Sequence, residues 1–179
     1  MTTLEPDLQR AFDESLADLP GHVLSEVRYH MLSGEARPTL KDRAPHILGA
    51  EVELAFTTGD KVYVTWQQNA RRDEVFSVKT GHASSFRSDT VTSVDMSNAD
   101  LWSPYIGRVN TSIEIWGDAT SPYVVIFNFD GRRMFIGTSG DAHGKMYGPG
   151  EDVLLMSGEE ADLREELSGL VKICEYLKA

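Results

Sequence analysis

The fold of this chain is decided by three consecutive runs, Val109-Asn-Thr-Ser-Ile-Glu-Ile-Trp116, Tyr123-Val-Val-Ile-Phe-Asn-Phe129 and Arg133-Met-Phe-Ile136. In the first run apolar residues alternate with polar ones, which is the pattern of a strand with one covered face. Residues 117–122 form a turn between the first two runs. We therefore predict three adjacent antiparallel strands between Val109 and Thr138, with Ile113, Ile115, Val125 and Phe127 on one covered face.

The turn between the second and third runs is Asp130-Gly131. A two-residue hairpin of type I′ requires positive φ at both central residues. Glycine adopts positive φ without strain, and aspartate tolerates it. The pair therefore predicts a tight hairpin at this position.

Alternation predicts further strands on both sides of this meander. The predicted segments are residues 22–32, a hairpin of residues 51–56 and 62–66, residues 75–80, and residues 152–156. Residues 33–49 contain two prolines and are predicted to be a long connection. Residues 81–100 are rich in Ser, Thr and Asp and are predicted to be an exposed connection with at most one short strand near Val91.

Helical spacing is found at the two ends of the chain. Apolar residues between Leu4 and Leu19 recur every three or four positions, and Pro20-Gly21 then ends the pattern. Residues 159–177 place several leucines, Val171 and Cys174 along one helical face. We therefore predict a single α+β domain over residues 1–179, a mostly antiparallel sheet (residues 22–157) with an N-terminal helix (4–19) and a C-terminal helix (159–177).

Composition restricts the classes of function. The chain has 17 basic and 28 acidic residues and a formal net charge of -11. Nucleic-acid binding requires clustered Lys and Arg, so we expect no nucleic-acid partner. Cys174 is the only cysteine, which suits a reducing compartment. Neither an export signal nor a membrane-spanning apolar run is visible, and we expect a cytoplasmic protein with no membrane partner.

No motif indicates a catalytic, cofactor or metal site. The glycine-rich residues 137–150 resemble a phosphate-binding loop, but the spacing before Gly144-Lys145 is one residue short and Met146 replaces the hydroxyl residue. The five histidines lack the spacing of a zinc site. Asp141 and His143 form the one local acid–imidazole pair, for which no nucleophile can be nominated. We therefore expect neither a cofactor nor a metal, and no enzymatic activity.

Acidic residues and one tryptophan are the candidates for binding a partner. Trp102 has two interpretations, as a plug at the end of the core or as an aromatic anchor for a partner. Trp66 shares the side of Val62 and Val64 and is predicted to lie in the core, whereas Trp116 is predicted to lie on the outer face of the sheet or beneath a terminal helix. The candidate partner-binding residues are Asp89, Asp95, Asp100, Trp102, Glu151, Asp152, Glu159, Glu160 and Asp162.

In overall character the chain resembles the immunity proteins that accompany bacterial polymorphic or contact-dependent toxins. The shared features are acidic charge, a modest α+β domain and tight hairpins such as Asp130-Gly131, carried by residues 50–66 and 101–138. The resemblance implies a cytoplasmic inhibitor that covers the active or substrate-binding surface of a cognate toxin with a basic surface. It transfers no functional residue to this chain.

Two other classes of function stay open. One is an α+β domain that binds a small molecule or a peptide in a pocket between the sheet and the helices. The other is an enzyme whose active-site residues converge only in three dimensions.

Overall fold

The computed structural model describes residues 6–42, 45–68, 74–118, 121–140, 145–147, 154–158 and 167–178. In this part of the chain there are one helix and twelve strands. The helix is α1 (Pro6–Leu16), and the strands are β1 (Leu24–Leu32), β2 (His46–Leu48), β3 (Glu51–Phe56), β4 (Lys61–Gln68), β5 (Glu74–Thr80), β6 (Val91–Asp95), β7 (Asn110–Gly117), β8 (Pro122–Phe129), β9 (Arg132–Gly140), β10 (Lys145–Tyr147), β11 (Leu154–Ser157) and β12 (Val171–Leu177).

The strands form two antiparallel sheets. Sheet 1 has five strands in the order β5-β4-β3-β1-β6. Sheet 2 has the order β12-β7-β8-β9-β11-β2, and β10 also pairs with β9. The predicted hairpin is β3–β4, in which Val52 lies opposite Val64 and Leu54 opposite Val62. The predicted meander is β7–β8–β9 at the centre of sheet 2.

One apolar core lies between the two sheets. Sheet 1 contributes alternate residues such as Val27, Leu54 and Val62, which are fully buried. The predicted covered face of sheet 2 is confirmed, because Ile113, Ile115, Val125 and Phe127 are all fully buried in the same core. Burial of these side chains is the main source of stability in such an arrangement.

Helix α1 packs against β5 and its apolar side enters the core through Phe12 and Leu16. Tyr176 of β12 ties the helix to sheet 2, since its hydroxyl donates a hydrogen bond of 2.8 Å to Asp13. The predicted N-terminal helix (4–19) is confirmed over residues 6–16, but residues 17–19 are not helical, and residues 4 and 5 lie outside the described part. It is too short to cross a membrane, as is any helix in the described residues.

The Asp130-Gly131 hairpin is confirmed by its backbone. Asp130 has φ of 50° and Gly131 has φ of 81°, so both central residues have the positive φ that type I′ requires. Asn128 Oδ1 accepts a hydrogen bond of 2.9 Å from the Gly131 N–H and closes the turn.

The prediction of a C-terminal helix is wrong, and with it the α+β class. Residues 171–177 form β12, which pairs with β7 at the edge of sheet 2. A register shift between Lys172 and Cys174 places two consecutive residues, Ile173 and Cys174, against the core. Such a bulge breaks the two-residue alternation of apolar residues that is typical of a strand. The apolar residues then have a spacing that is also found on one face of a helix. The described fold is mostly antiparallel β-sheet, and residues 159–166 lie outside it.

Smaller differences concern the connections. The short β2 lies within the predicted connection 33–49, because three residues are too few to show alternation. The strand near Val91 is confirmed as β6. The predicted last strand, residues 152–156, corresponds to β11 (Leu154–Ser157), and residues 152 and 153 lie outside the described part.

Candidate functional site

The outer faces of the two sheets differ in chemistry. The outer face of sheet 2 carries a second apolar cluster, in which Val124, Ile126 and Phe135 are covered in part by Leu167 of the turn before β12. The outer face of sheet 1 carries polar residues, since the apolar residues of its strands point to the core. Five of these polar residues form what we call the outer-face cluster: His30, Glu51, Glu53, Lys61 and Tyr63.

Glu53 is the centre of the outer-face cluster. It is 4% exposed, and its two oxygens accept hydrogen bonds from His30 Nε2 at 2.8 Å and from Lys61 Nζ at 2.6 Å. Burial opposes ionisation, but the hydrogen bonds from Lys61 and His30 outweigh it and hold the pKa of the Glu53 carboxyl below its usual range. Glu53 is therefore a carboxylate at neutral pH.

The charge of Glu53 also assigns the tautomer of His30. An ionised carboxylate only accepts hydrogen bonds, so the proton of a neutral His30 ring is on Nε2. The ring is nearly buried, and its Nδ1 makes no hydrogen bond with the described residues. The arrangement fixes the orientation of an imidazole and leaves one of its nitrogens available.

Glu51 is fully buried and is covered by the connection that follows β5. The backbone N–H of Ser85 donates to both carboxylate oxygens, at 3.1 and 3.3 Å. Tyr63 lies beside Glu51 and Glu53, and burial together with these two carboxylates raises the pKa of Tyr63 to about 12. Because a buried carboxylate requires hydrogen-bond donors, the contact anchors residues 81–90 over sheet 1.

The anchored connection and β6 carry two of the predicted partner-binding residues. Asp89 is exposed and lies 2.8 Å from Arg87 in a surface ion pair. Asp95 lies at the end of β6 opposite Arg28, and hydrogen bonds from Ser97 lower the pKa of its carboxyl. Asp100 is half-buried, and its N–H donates to the carbonyl of Leu40 at 2.7 Å. Arg28 lies between Asp95 and Glu53 on adjacent strands, so Asp95 is on the same face of sheet 1 as the outer-face cluster.

Trp102 lies in the core and is not a surface residue. It is fully buried, and its Nε1–H donates a hydrogen bond of 2.6 Å to the Tyr29 hydroxyl. That hydroxyl lies 2.7 Å from Nδ1 of His46, and His46 Nε2 lies 3.1 Å from the carbonyl of Asp42. The structure therefore supports the interpretation of Trp102 as a core residue, and the proposed partner anchor is wrong.

The direction of this buried hydrogen-bond chain follows from its ends. Indole N–H is only a donor and a backbone carbonyl is only an acceptor. Tyr29 therefore accepts from Trp102 and donates to His46 Nδ1, while His46 donates from Nε2 to Asp42. Burial lowers the pKa of His46 against the opposing effect of the Asp42 carbonyl, which agrees with a neutral ring. This chain of hydrogen bonds joins β1, β2 and the turn that contains Trp102.

The other sequence candidates have different outcomes. Trp66 packs against the core, as predicted, and Trp116 packs against the second apolar cluster on the outer face of sheet 2, as predicted. Among the described residues no group of His, Cys, Asp and Glu could hold a metal ion. Further candidates lie outside the described residues: Asp141, His143, Glu151, Asp152, Glu159, Glu160 and Asp162.

The outer-face cluster was not predicted from the sequence. Its signal was polar residues at alternate positions of adjacent strands, such as Glu51 and Glu53, and this pattern is usual on any solvent-facing side. Burial distinguishes the cluster from an ordinary polar face. For Glu51 the cover is the connection that carries Ser85, and the path of this connection over sheet 1 is not encoded in any local pattern.

Comparisons with protein-family models, with curated proteins and with solved structures found no match to this chain.

Proposed function

We propose that this protein is a binding protein that inhibits a cognate partner protein, in the manner of the immunity proteins of bacterial toxin systems. It acts by covering the active or substrate-binding surface of the partner. The partner is a protein with a basic surface.

One observation carries this proposal: residues 81–95 form an exposed polar surface on an ordered support. The connection 81–90 is anchored at Ser85 by the buried carboxylate of Glu51, and β6 is paired along its length with β1. A surface that is ordered before binding loses less conformational entropy when a partner docks. Most side chains of this segment are exposed, including Asp89 and Asp95.

Charge supports the same conclusion. The net charge of -11 attracts a basic protein over a distance of about one Debye length, roughly 8 Å at physiological salt. Such attraction accelerates encounter more than it strengthens the final complex. An inhibitor that must reach its partner before damage occurs benefits from a high association rate.

The test uses the product of the neighbouring gene as the candidate partner. Association is followed by stopped-flow or biolayer kinetics at several salt concentrations, together with rescue of cells that express this product. The double variant Asp89→Asn/Asp95→Asn should lower the association rate by roughly two- to tenfold at low salt. The difference from the unchanged protein should shrink as salt rises.

A matched control separates local charge from net charge. The double variant Glu14→Gln/Asp18→Asn removes the same two charges at exposed positions on and after α1. Helix α1 packs against β5, four strand spacings or about 19 Å from β6. If both double variants lower the association rate equally, the binding site cannot be assigned to residues 81–95. If the candidate partner does not bind, or if cells that express it are not rescued, the proposed function is refuted.

An enzyme with a dispersed active site is the second candidate, and one observation favours it. Glu53 orients His30 in the manner of an acid–imidazole pair, and Ser93 of β6 lies opposite His30 on the same face. Hydrolysis of an activated ester such as p-nitrophenyl acetate tests this candidate. A rate above the buffer rate that His30→Gln abolishes would support it, whereas equal rates for both proteins would exclude it for this substrate class.

A further inference from the structure

The pattern of hydrogen bonds between β6 and β1 determines which backbone groups of β6 face away from β1. The N–H of Met96, directly after β6, donates to the carbonyl of Val27 at 2.9 Å. In an antiparallel ladder, directly bonded pairs alternate with pairs that are not bonded. The next bonded pair is therefore Tyr29 with Val94, two residues farther along each strand. Ser93 and Asp95, which lie opposite His30 and Arg28, consequently point their N–H and C=O groups away from β1.

These outward groups form an open edge of sheet 1. In the described part of the chain β6 pairs with β1 alone. Thr92, Ser93 and Asp95 are exposed, whereas Val94 is buried in the core and holds the strand in place. The edge is thus both accessible and ordered.

Among the described residues, the other edge strands have protective features that β6 lacks. Natural sheets block an exposed edge with a bulge, a lysine, a proline, a very short strand or a covering element. β5 packs against α1 and carries Lys79, β12 has a register shift beside Lys172, and β2 and β10 have three residues each. β6 has five residues, Val-Thr-Ser-Val-Asp, and pairs with β1 without a register shift.

We infer that β6 receives an extended strand of the partner protein, which adds to sheet 1 as a sixth strand. This inference rests on the proposed function and specifies how that partner is held. The outward N–H and C=O groups of Ser93 and Asp95 bond to the backbone of the added strand. The carboxylate of Asp95 lies at the end of the edge, and Asp89 lies close before β6 in the chain, so the added strand carries at least one basic residue facing Asp95.

The test removes one outward donor without removing a bond to β1. Ser93→Pro deletes the Ser93 N–H, and proline is accepted on an edge strand where this group faces solvent. The matched control, Ser93→Ala, keeps the N–H and changes only the side chain. With the neighbouring gene product as the probe, Ser93→Pro should weaken binding by about 10- to 100-fold, because the partner carbonyl loses its donor and the ring blocks close approach. Ser93→Ala should bind like the unchanged protein.

Amide hydrogen exchange of the unchanged protein gives an independent measurement. In the free protein the amides of Ser93 and Asp95 should exchange faster than those of Thr92 and Val94, which bond to β1. In the complex, Ser93 and Asp95 should become protected. Thermal melting shows whether the Ser93→Pro variant is folded. If the variant is not folded, hydrogen exchange of the unchanged protein tests whether β6 receives an added strand.

The outcomes separate the inference from the function on which it rests. Two results would overturn the added strand and leave the inhibitor function, provided that the unchanged protein binds tightly. One is unchanged binding by a folded Ser93→Pro variant. The other is a complex in which the amides of Ser93 and Asp95 stay unprotected. If the unchanged protein binds nothing and rescues no cells, both are overturned. Selective loss in Ser93→Pro together with new protection at Ser93 and Asp95 supports both.

Discussion

Removal of the Tyr29 hydroxyl should destabilise the protein far more than removal of the Tyr63 hydroxyl. Tyr29 and Tyr63 are both buried, at 0% and 1% exposure. The Tyr29 hydroxyl joins Trp102 and His46 at 2.6 and 2.7 Å, whereas the Tyr63 hydroxyl has no hydrogen bond with the described residues. The variants Tyr29→Phe and Tyr63→Phe therefore make the same chemical change in two different surroundings.

The size of the difference follows from the groups left behind. In Tyr29→Phe the Trp102 indole N–H and the His46 Nδ1 are both buried without a partner. Each such group costs about 1–3 kcal/mol, so the two together should lower the free energy of unfolding by about 2–6 kcal/mol. That is a large share of the roughly 5–15 kcal/mol that stabilises a typical domain. Tyr63→Phe should cost less than about 1 kcal/mol because no bond is broken.

Urea denaturation followed by tryptophan fluorescence and circular dichroism measures both variants. In a thermal melt, at about 2–4 °C per kcal/mol for a chain of this size, the midpoint of Tyr29→Phe should fall by roughly 4–24 °C. Equal destabilisation by the two variants would refute the hydrogen-bond chain as a source of stability. An unchanged denaturant m-value in both would show that the comparison is between equally compact states.

Three further predictions concern stability. Because burial lowers the pKa of His46, the unfolded protein binds a proton at this ring more readily than the folded protein does. The free energy of unfolding should therefore be highest above about pH 6.5, decline as pH falls toward the folded-state pKa, and show no further loss from this group below that pKa. Denaturation at a series of pH values measures this dependence. Gly131→Val forces a β-branched residue to φ of 81°, so we expect a loss of at least about 1–2 kcal/mol in thermal or urea unfolding, and an unchanged midpoint would contradict the turn assignment. In Gly117→Ala the new Cβ would lie 2.0 Å from the carbonyl oxygen of Ser121, so this variant should be destabilised by at least about 2 kcal/mol in the same assay, whereas Gly59→Ala, with open space around it, bears only the strain of its positive φ.

Where local patterns are regular, sequence predicted the structure well. Alternation and the Asp130-Gly131 turn predicted the central meander and its covered face, because both depend on residues that are close in sequence. The same approach failed for β12, where a bulge at Lys172 and Cys174 places neighbouring residues on the same side of the strand. Local spacing cannot distinguish this arrangement from a helical face.

The candidate site was predicted only in part. Asp89 and Asp95 were chosen as candidates from their charge and from the polar composition of residues 81–100, and the structure shows that both are exposed. Trp102 could not be assigned, because its burial depends on Tyr29, 73 positions away in the chain. Glu51, Glu53 and His30 were missed because their polar alternation is common on solvent-facing strands.

The amino-acid sequence by itself determined the antiparallel meander, the β3–β4 hairpin and the acidic charge, since each follows from neighbouring residues or from a sum over the chain. Only the tertiary structure decided that residues 81–90 cover Glu51, that Trp102 is hydrogen-bonded to Tyr29, and that β6 pairs with β1 alone among the described strands. These features arise where segments distant in sequence meet. Their energies come from desolvation and hydrogen bonding between those segments, which no local pattern records.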